Sequence, residues 1–174
     1  MNSGDHELGK LSKKELLATI RMFSKNWYTL DGLWFRLVEE EYGFEAALKL
    51  DYKMWESDAL IEARRIKEVL GLSGGGPEGV VKAINFMSWA PSTEYRYEET
   101  PQGILWTCTY CPPQEARQRK GLSENHCKPA GISCFGDAAR VIDPAVKVRC
   151  IFCPPDPHPK DSWCQWEFTS DHKL

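Results

Sequence analysis

Thr93-Glu94-Tyr95-Arg96-Tyr97-Glu98-Glu99-Thr100-Pro101-Gln102-Gly103-Ile104-Leu105-Trp106-Thr107-Cys108-Thr109-Tyr110 decides the fold class. Residues 93–99 alternate in polarity and read as a strand. Pro101-Gln102-Gly103 reads as a turn, and 104–110 as the returning strand of a hairpin. Two further strands are read downstream, at Val146–Ile151 and Trp163–Phe168, joined by the Pro-rich loop 154–159. Upstream of residue 75 nothing alternates. Ser12-Lys13-Lys14-Glu15 is a capping box, followed by Leu16, Ile20, Phe23 and Trp27 at helical spacing. A second helix is expected from about Leu30, with Asp31 at or near its N-cap, and Gly43 stops it. A third runs from about Phe44 to Leu70, with Gly71 as C-cap. Short helices are expected at Pro77–Phe86, Pro112–Lys120 and Cys134–Val141. Helices first and antiparallel strands later predict an α+β fold, a helical lobe packed on an antiparallel sheet with Cys-rich loops. Ser73-Gly74-Gly75-Gly76-Pro77 divides the chain into a helical lobe, 1–75, and a Cys-rich α+β lobe, 76–174, within one compact domain.

Composition excludes several classes. The net charge is −3 over 174 residues, with no basic stripe, so no nucleic-acid partner is expected. No apolar run approaches the ~18 residues of a membrane span. The first residues lack the pattern of a secretion signal, so a cytoplasmic location is expected. A Walker A loop, a Gly-x-Ser-x-Gly elbow, a His-Glu-x-x-His helix and a dinucleotide fingerprint are all missing from the sequence.

All seven cysteines lie between Cys108 and Cys164. In a reducing compartment such clustering points to a metal site or to reactive thiols, with buried structural thiols as the alternative. Cys108–Cys111 and Cys150–Cys153 are both C-x-x-C, the spacing that lets two sulfurs reach one ion. Cys150, Cys153 and Cys164 form a local cluster if the last two strands pair, and Cys111, Cys127 or His158 would supply a fourth ligand. Cys127 stands between His126 and Lys128 near a helix start, the setting of a nucleophilic thiol. Tyr28 and Phe35 are candidates for lining a ligand cavity, though aromatic stripes are usually core. Glu39-Glu40-Glu41 reads as a solvated face, and Arg117, Arg119 and Lys120 as a small basic patch.

Trp27 to Phe35, Glu41 to Ala47, Cys111 to Arg117, Cys127-Lys128-Pro129, Ile142-Asp143-Pro144, Cys150 to Pro159 and Trp163 to Phe168 together resemble DUF6125. This is a family of small uncharacterised proteins labelled as similar to L-2-amino-thiazoline-4-carboxylic acid hydrolase. The resemblance spans roughly residues 12–169. It implies a cytosolic protein in which Cys111, Cys127, Cys150, Cys153 and Cys164 belong to the shared pattern, with Cys108 and Cys134 as additions. A more distant likeness to small-ligand domains of the vinyl-reductase type implies a pocket between helices and sheet. The expected function is a thiolate site for zinc or an iron–sulfur cluster, built from those five cysteines and His158, beside a small-molecule pocket. Two other readings stand beside it. One is a thiol-dependent hydrolase of small cyclic C–N or C–S substrates with Cys127 as catalytic nucleophile. The other is a small-molecule sensor with structural cysteines.

Overall fold

The computed structural model describes residues 3–170. A short helix α1 (Ser3–Leu8) precedes α2 (Lys13–Tyr42) and α3 (Phe44–Leu70). Then come α4 (Gly76–Ile84), a single 3-10 turn at Ala90–Ser92, and the hairpin β1 (Glu94–Thr100) and β2 (Gly103–Tyr110). The chain finishes with α5 (Pro112–Arg119), α6 (Lys128–Ile142), β3 (Val146–Phe152) and β4 (Cys164–Ser170). This is an α+β arrangement with the helices leading.

The capping box forms as the sequence predicts. Glu15 N–H donates to Ser12 Oγ at 3.3 Å, and Ser12 N–H donates to the Glu15 carboxylate at 2.8 Å. The two helices expected between residues 12 and 42 are one continuous helix of 30 residues. Asp31 therefore sits mid-helix and is not an N-cap. Gly32 costs about 1 kcal/mol of helix propensity relative to Ala, which packing on both sides of it outweighs. Helix α6 starts at Lys128, six residues before the expected Cys134, because Pro129 occupies a first-turn position that suits proline.

The four strands form one antiparallel sheet in the order β1-β2-β4-β3. Ile104, Trp106 and Cys108 of β2 and Trp166 and Phe168 of β4 are buried, as alternation requires of one covered face. On β3, Lys147, Arg149 and Ile151 are exposed, and Arg149 pairs with Glu167 across the strands at 2.9 Å. Helices α4 and α6 cover the buried face, α3 packs on α6, and α2 packs on α3. One core joins Ala59, Ala63 and Ile66 of α3 to α4, α6 and the sheet. Phe135 on α6 is its centre. Its ring lies 5.3 Å from Trp106, 4.8 Å from Trp166, and 6.0 Å from both Trp89 and Phe168. Each such pair contributes about 0.5–1.5 kcal/mol beyond simple burial.

Close approach fixes two glycines. A Cβ at Gly103 would meet the Phe168 carbonyl oxygen at 1.9 Å, a backbone atom that cannot step aside. A Cβ at Gly131 would stand 2.5 Å from the Trp166 ring. Gly131 thus lets helix α6 lie against the indole that walls the site described next.

Candidate functional site

The open end of the sheet gathers thiols from five separate segments. Cys108 stands near the end of β2 and pairs in register with Cys164, the first residue of β4. The backbone seals this corner, since Trp163 N–H donates to the Cys108 carbonyl at 2.8 Å. Cys111 caps α5 and Cys127 caps α6. Both lie where the positive end of a helix dipole points, a setting that favours an anionic ligand atom. Cys153 follows β3 and is buried. All five line a cavity of about 120 Å³ between the sheet end, α2, α3 and α6.

The thiols engage one another in a chain. Cys108 lies beside Cys111 and Cys164, and Cys153 beside Cys127 and Cys164. These neighbours, with burial, push the Cys108 and Cys153 thiols far up from the ordinary thiol range. Cys164 is the reverse case. The neighbouring Cys108 and Cys153 thiols pull it well below that range despite burial.

A neutral amide braces this arrangement. Gln114 is 1% exposed. Its Nε2 donates to the Asn125 carbonyl at 2.8 Å and to Cys127 Sγ at 3.0 Å, and its Oε1 accepts from Asn125 N–H at 2.9 Å. Gln114 therefore ties α5 to the loop that carries Cys127. The sequence offers no signal for it, because a buried glutamine is marked only by its partners.

The remaining candidates lie elsewhere. Cys150 lines a separate surface cleft with Val146, Val148 and Gly136. Burial pushes its thiol up to about 11. His158 is not among the residues lining the thiol cavity. Its Nδ1 lies 2.9 Å from the carbonyls of Pro159 and Ser162, and its Nε2 faces Glu124. Burial lowers its basicity, but these contacts outweigh it and raise the ring above the usual histidine value. Cys134 touches the cavity wall, but its Sγ contacts Met87 Sδ at 3.6 Å. Cys108 joins the chain in place of Cys150. Among the described residues, no three Cys, His, Asp or Glu side chains are arranged to hold a metal ion as they stand.

Two carboxyls face the same cavity. Asp31 and Asp51 are largely buried, and burial raises them to about 6 and about 7, aided by repulsion from Asp58 and Asp31 respectively. The sign of their effect on stability follows. Below about pH 4 the carboxyl is protonated in both folded and unfolded chains and costs nothing. Above that, the folded chain keeps a proton that the unfolded chain has lost, so stability falls as pH rises to the folded value. Asp31 alone accounts for about 2–3 kcal/mol of this fall. Urea unfolding between about pH 4 and about pH 8 is expected to show the decline, and Asp31→Asn to flatten it. An unchanged profile in Asp31→Asn counts against the buried-acid assignment.

The cavity opens outward. A larger cleft of about 440 Å³ lies between α2 and α5 and shares Tyr28, Asp31, Pro113 and Asn125 with the thiol cavity. Lys25, Arg36, Arg119 and Lys120 line it. Arg117, expected in an exposed patch, is buried instead and grips Glu39, which was expected on a solvated face. Inside, Trp106 Nε1 and Asn125 Oδ1 are buried with no hydrogen-bond partner. A donor and an acceptor left unpaired in one cavity wall leave polar capacity for a small molecule.

An α+β protein with a thiol-lined cavity under a helical hairpin is the class that fold and site define. The chain belongs to a family of unknown function, DUF6125, whose model matches residues 9–170. No curated protein and no solved structure matches the chain. No described helix is long and apolar enough to cross a membrane.

Proposed function

We propose that the protein holds a soft metal centre, Zn²⁺ or an iron–sulfur cluster, on thiolates drawn from Cys108, Cys111, Cys127, Cys153 and Cys164, at the floor of a small-molecule pocket. The observation that carries this reading is the linked chain of five thiols around one cavity. Thiolate sulfur suits Zn and iron–sulfur clusters, and five candidates exceed the four that either needs. These cysteines would hold the metal as thiolates, releasing their protons on binding. Asp31 and Asp51 titrate close to neutrality in the same cavity and are suited to accept protons released there.

The centre would supply a Lewis acid if zinc and electron transfer if a cluster. The chain's own residues do the rest. The cations of the outer cleft favour an anionic small molecule at its mouth, and Trp106 and Asn125 offer one donor and one acceptor deeper in. Trp106, Phe135 and Trp166 wall the cavity on its inner side. A cytosolic location fits, since thiols stay reduced there.

Anaerobic purification with elemental analysis and a visible spectrum tests the proposal. About one zinc per chain with no colour, or a brown protein with iron and sulfide, supports it. A metal-free protein that also fails to take up added Zn²⁺ or Co²⁺ overturns it.

A second reading rests on the Gln114 N–H directed at Cys127 Sγ and on the position of Cys127 at the start of α6. There Cys127 is the nucleophile of a metal-free hydrolase of small cyclic C–N or C–S substrates. It requires Cys127 to alkylate with iodoacetamide faster than a free thiol peptide at neutral pH.

A further inference from the structure

Helix α2 carries a second apolar face that the fold does not cover. Leu16, Ile20, Phe23, Trp27, Leu30, Trp34 and Leu37 follow one another in alternating steps of four and three. That spacing lines up side chains along one flank of a helix, as in a coiled-coil seam. The residues facing the body of the protein are a different set, Ser24, Tyr28, Asp31, Phe35 and Val38, each buried or half-buried. In the outer seam only Trp27 is half-buried, against Trp55 and Tyr28. Ile20 is 51% exposed, Phe23 57%, Leu30 72%, Trp34 66% and Leu37 60%.

So much contiguous apolar surface is unusual on a monomer, whose largest patch is about 300–600 Å². A standard protein interface takes about 800 Å² from each partner, and large side chains exposed to this degree along some five turns supply area of that order.

Charge indicates what covers it. The first half of α2 holds Lys13, Lys14, Arg21 and Lys25 against the single acid Glu15. The second half holds Asp31, Glu39, Glu40 and Glu41 against the single base Arg36. We propose that the occupant is a second copy of this chain, its α2 laid antiparallel along the first about a two-fold axis near Trp27. In that register Leu16 meets Leu37, Phe23 meets Leu30 and Ile20 meets Trp34, so the seam is self-complementary as a two-fold interface must be. Lys13 and Glu41 continue the seam at its two ends, so Lys13 then stands opposite Glu41 of the partner subunit. A parallel pair would set acid beside acid. Lys25 and Arg36, which line the outer cleft, lie on another flank of the helix, so pairing leaves the cleft mouth open.

Sedimentation velocity on the full chain tests this. The wild type is expected at twice the 19.9 kDa of one chain. Leu30→Glu, at an exposed position where folding of the single chain does not depend on the leucine, is expected to sediment as a monomer with an unchanged helical circular-dichroism spectrum. Glu41→Lys should weaken dimerisation about tenfold, because symmetry doubles the reversed pair. Adding Lys13→Glu to that variant should restore it. A wild type that stays monomeric at every concentration, or a dimer that survives Leu30→Glu, overturns the proposal. A dimer lost in Leu30→Glu but indifferent to the charge reversals overturns the antiparallel register.

Discussion

Cys164→Ser is expected to take the metal content of the anaerobically purified protein from about one centre per chain to near zero, and Cys150→Ser to leave it unchanged. Cys164 stands at the middle of the thiol cluster, opposite Cys108 in the sheet register and beside Cys153. Serine keeps the shape but offers a hard hydroxyl that stays protonated, so the centre loses its middle ligand. Structural zinc is worth about 10–16 kcal/mol in small zinc-binding peptides, so one lost thiolate removes most of the retention. Cys150 lies in another cleft beside Val146 and Val148 and provides the control. Cys108→Ser and Cys153→Ser should each resemble Cys164→Ser, because both neighbour Cys164 directly. Retention in the Cys164 variant, or equal loss in the Cys150 variant, would count decisively against the centre.

The contrast between Cys150 and Cys108 also shows where the sequence stops being readable. Both sit in C-x-x-C pairs, and spacing alone gives them equal standing. What separates them is strand register. Cys108 pairs opposite Cys164 at the mouth of the sheet, whereas Cys150 pairs opposite Trp166 one step inside. Register is set by the assembled sheet, and a shift of one residue exchanges faces. The hairpin at 94–110, the capping box and the two later strands were legible because each is a local pattern. The continuity of α2 through Asp31-Gly32 was not, since local breaker signals there are overridden by packing. The role of Gln114 and the pairing of Glu39 with Arg117 depend on contacts between residues 11 and 78 positions apart, which no local pattern encodes.

Arg117→Ala is expected to destabilise the fold by about 3 kcal/mol, near the low end for breaking a buried ion pair, because one edge of Glu39 reaches water. The guanidinium makes a bidentate contact with Glu39 at 2.8 and 2.9 Å, and its Nε donates to the Ser123 carbonyl at 2.5 Å. It also lies over the rings of Phe44 at 4.9 Å and Phe35 at 5.7 Å. Truncation leaves a half-buried carboxylate and an unpaired carbonyl, and removes the stacked surface as well. Hydrogen bonds from Arg117 hold the Glu39 carboxyl below the usual carboxylate range. Its stabilisation is therefore present above the unfolded carboxylate pKa and is lost as pH falls through the lowered value. The alanine variant should accordingly lose less further stability on acidification than the wild type, seen as converging urea midpoints toward about pH 3. The same link connects stability to the site. Arg117 anchors α5, whose cap is Cys111, to α2, which contributes Tyr28 and Asp31 to the cavity. Loosening it should weaken metal retention more than Glu39→Gln does, since glutamine still offers an acceptor to Arg117. Equal retention in the two variants would mean that Cys111 is positioned without this anchor.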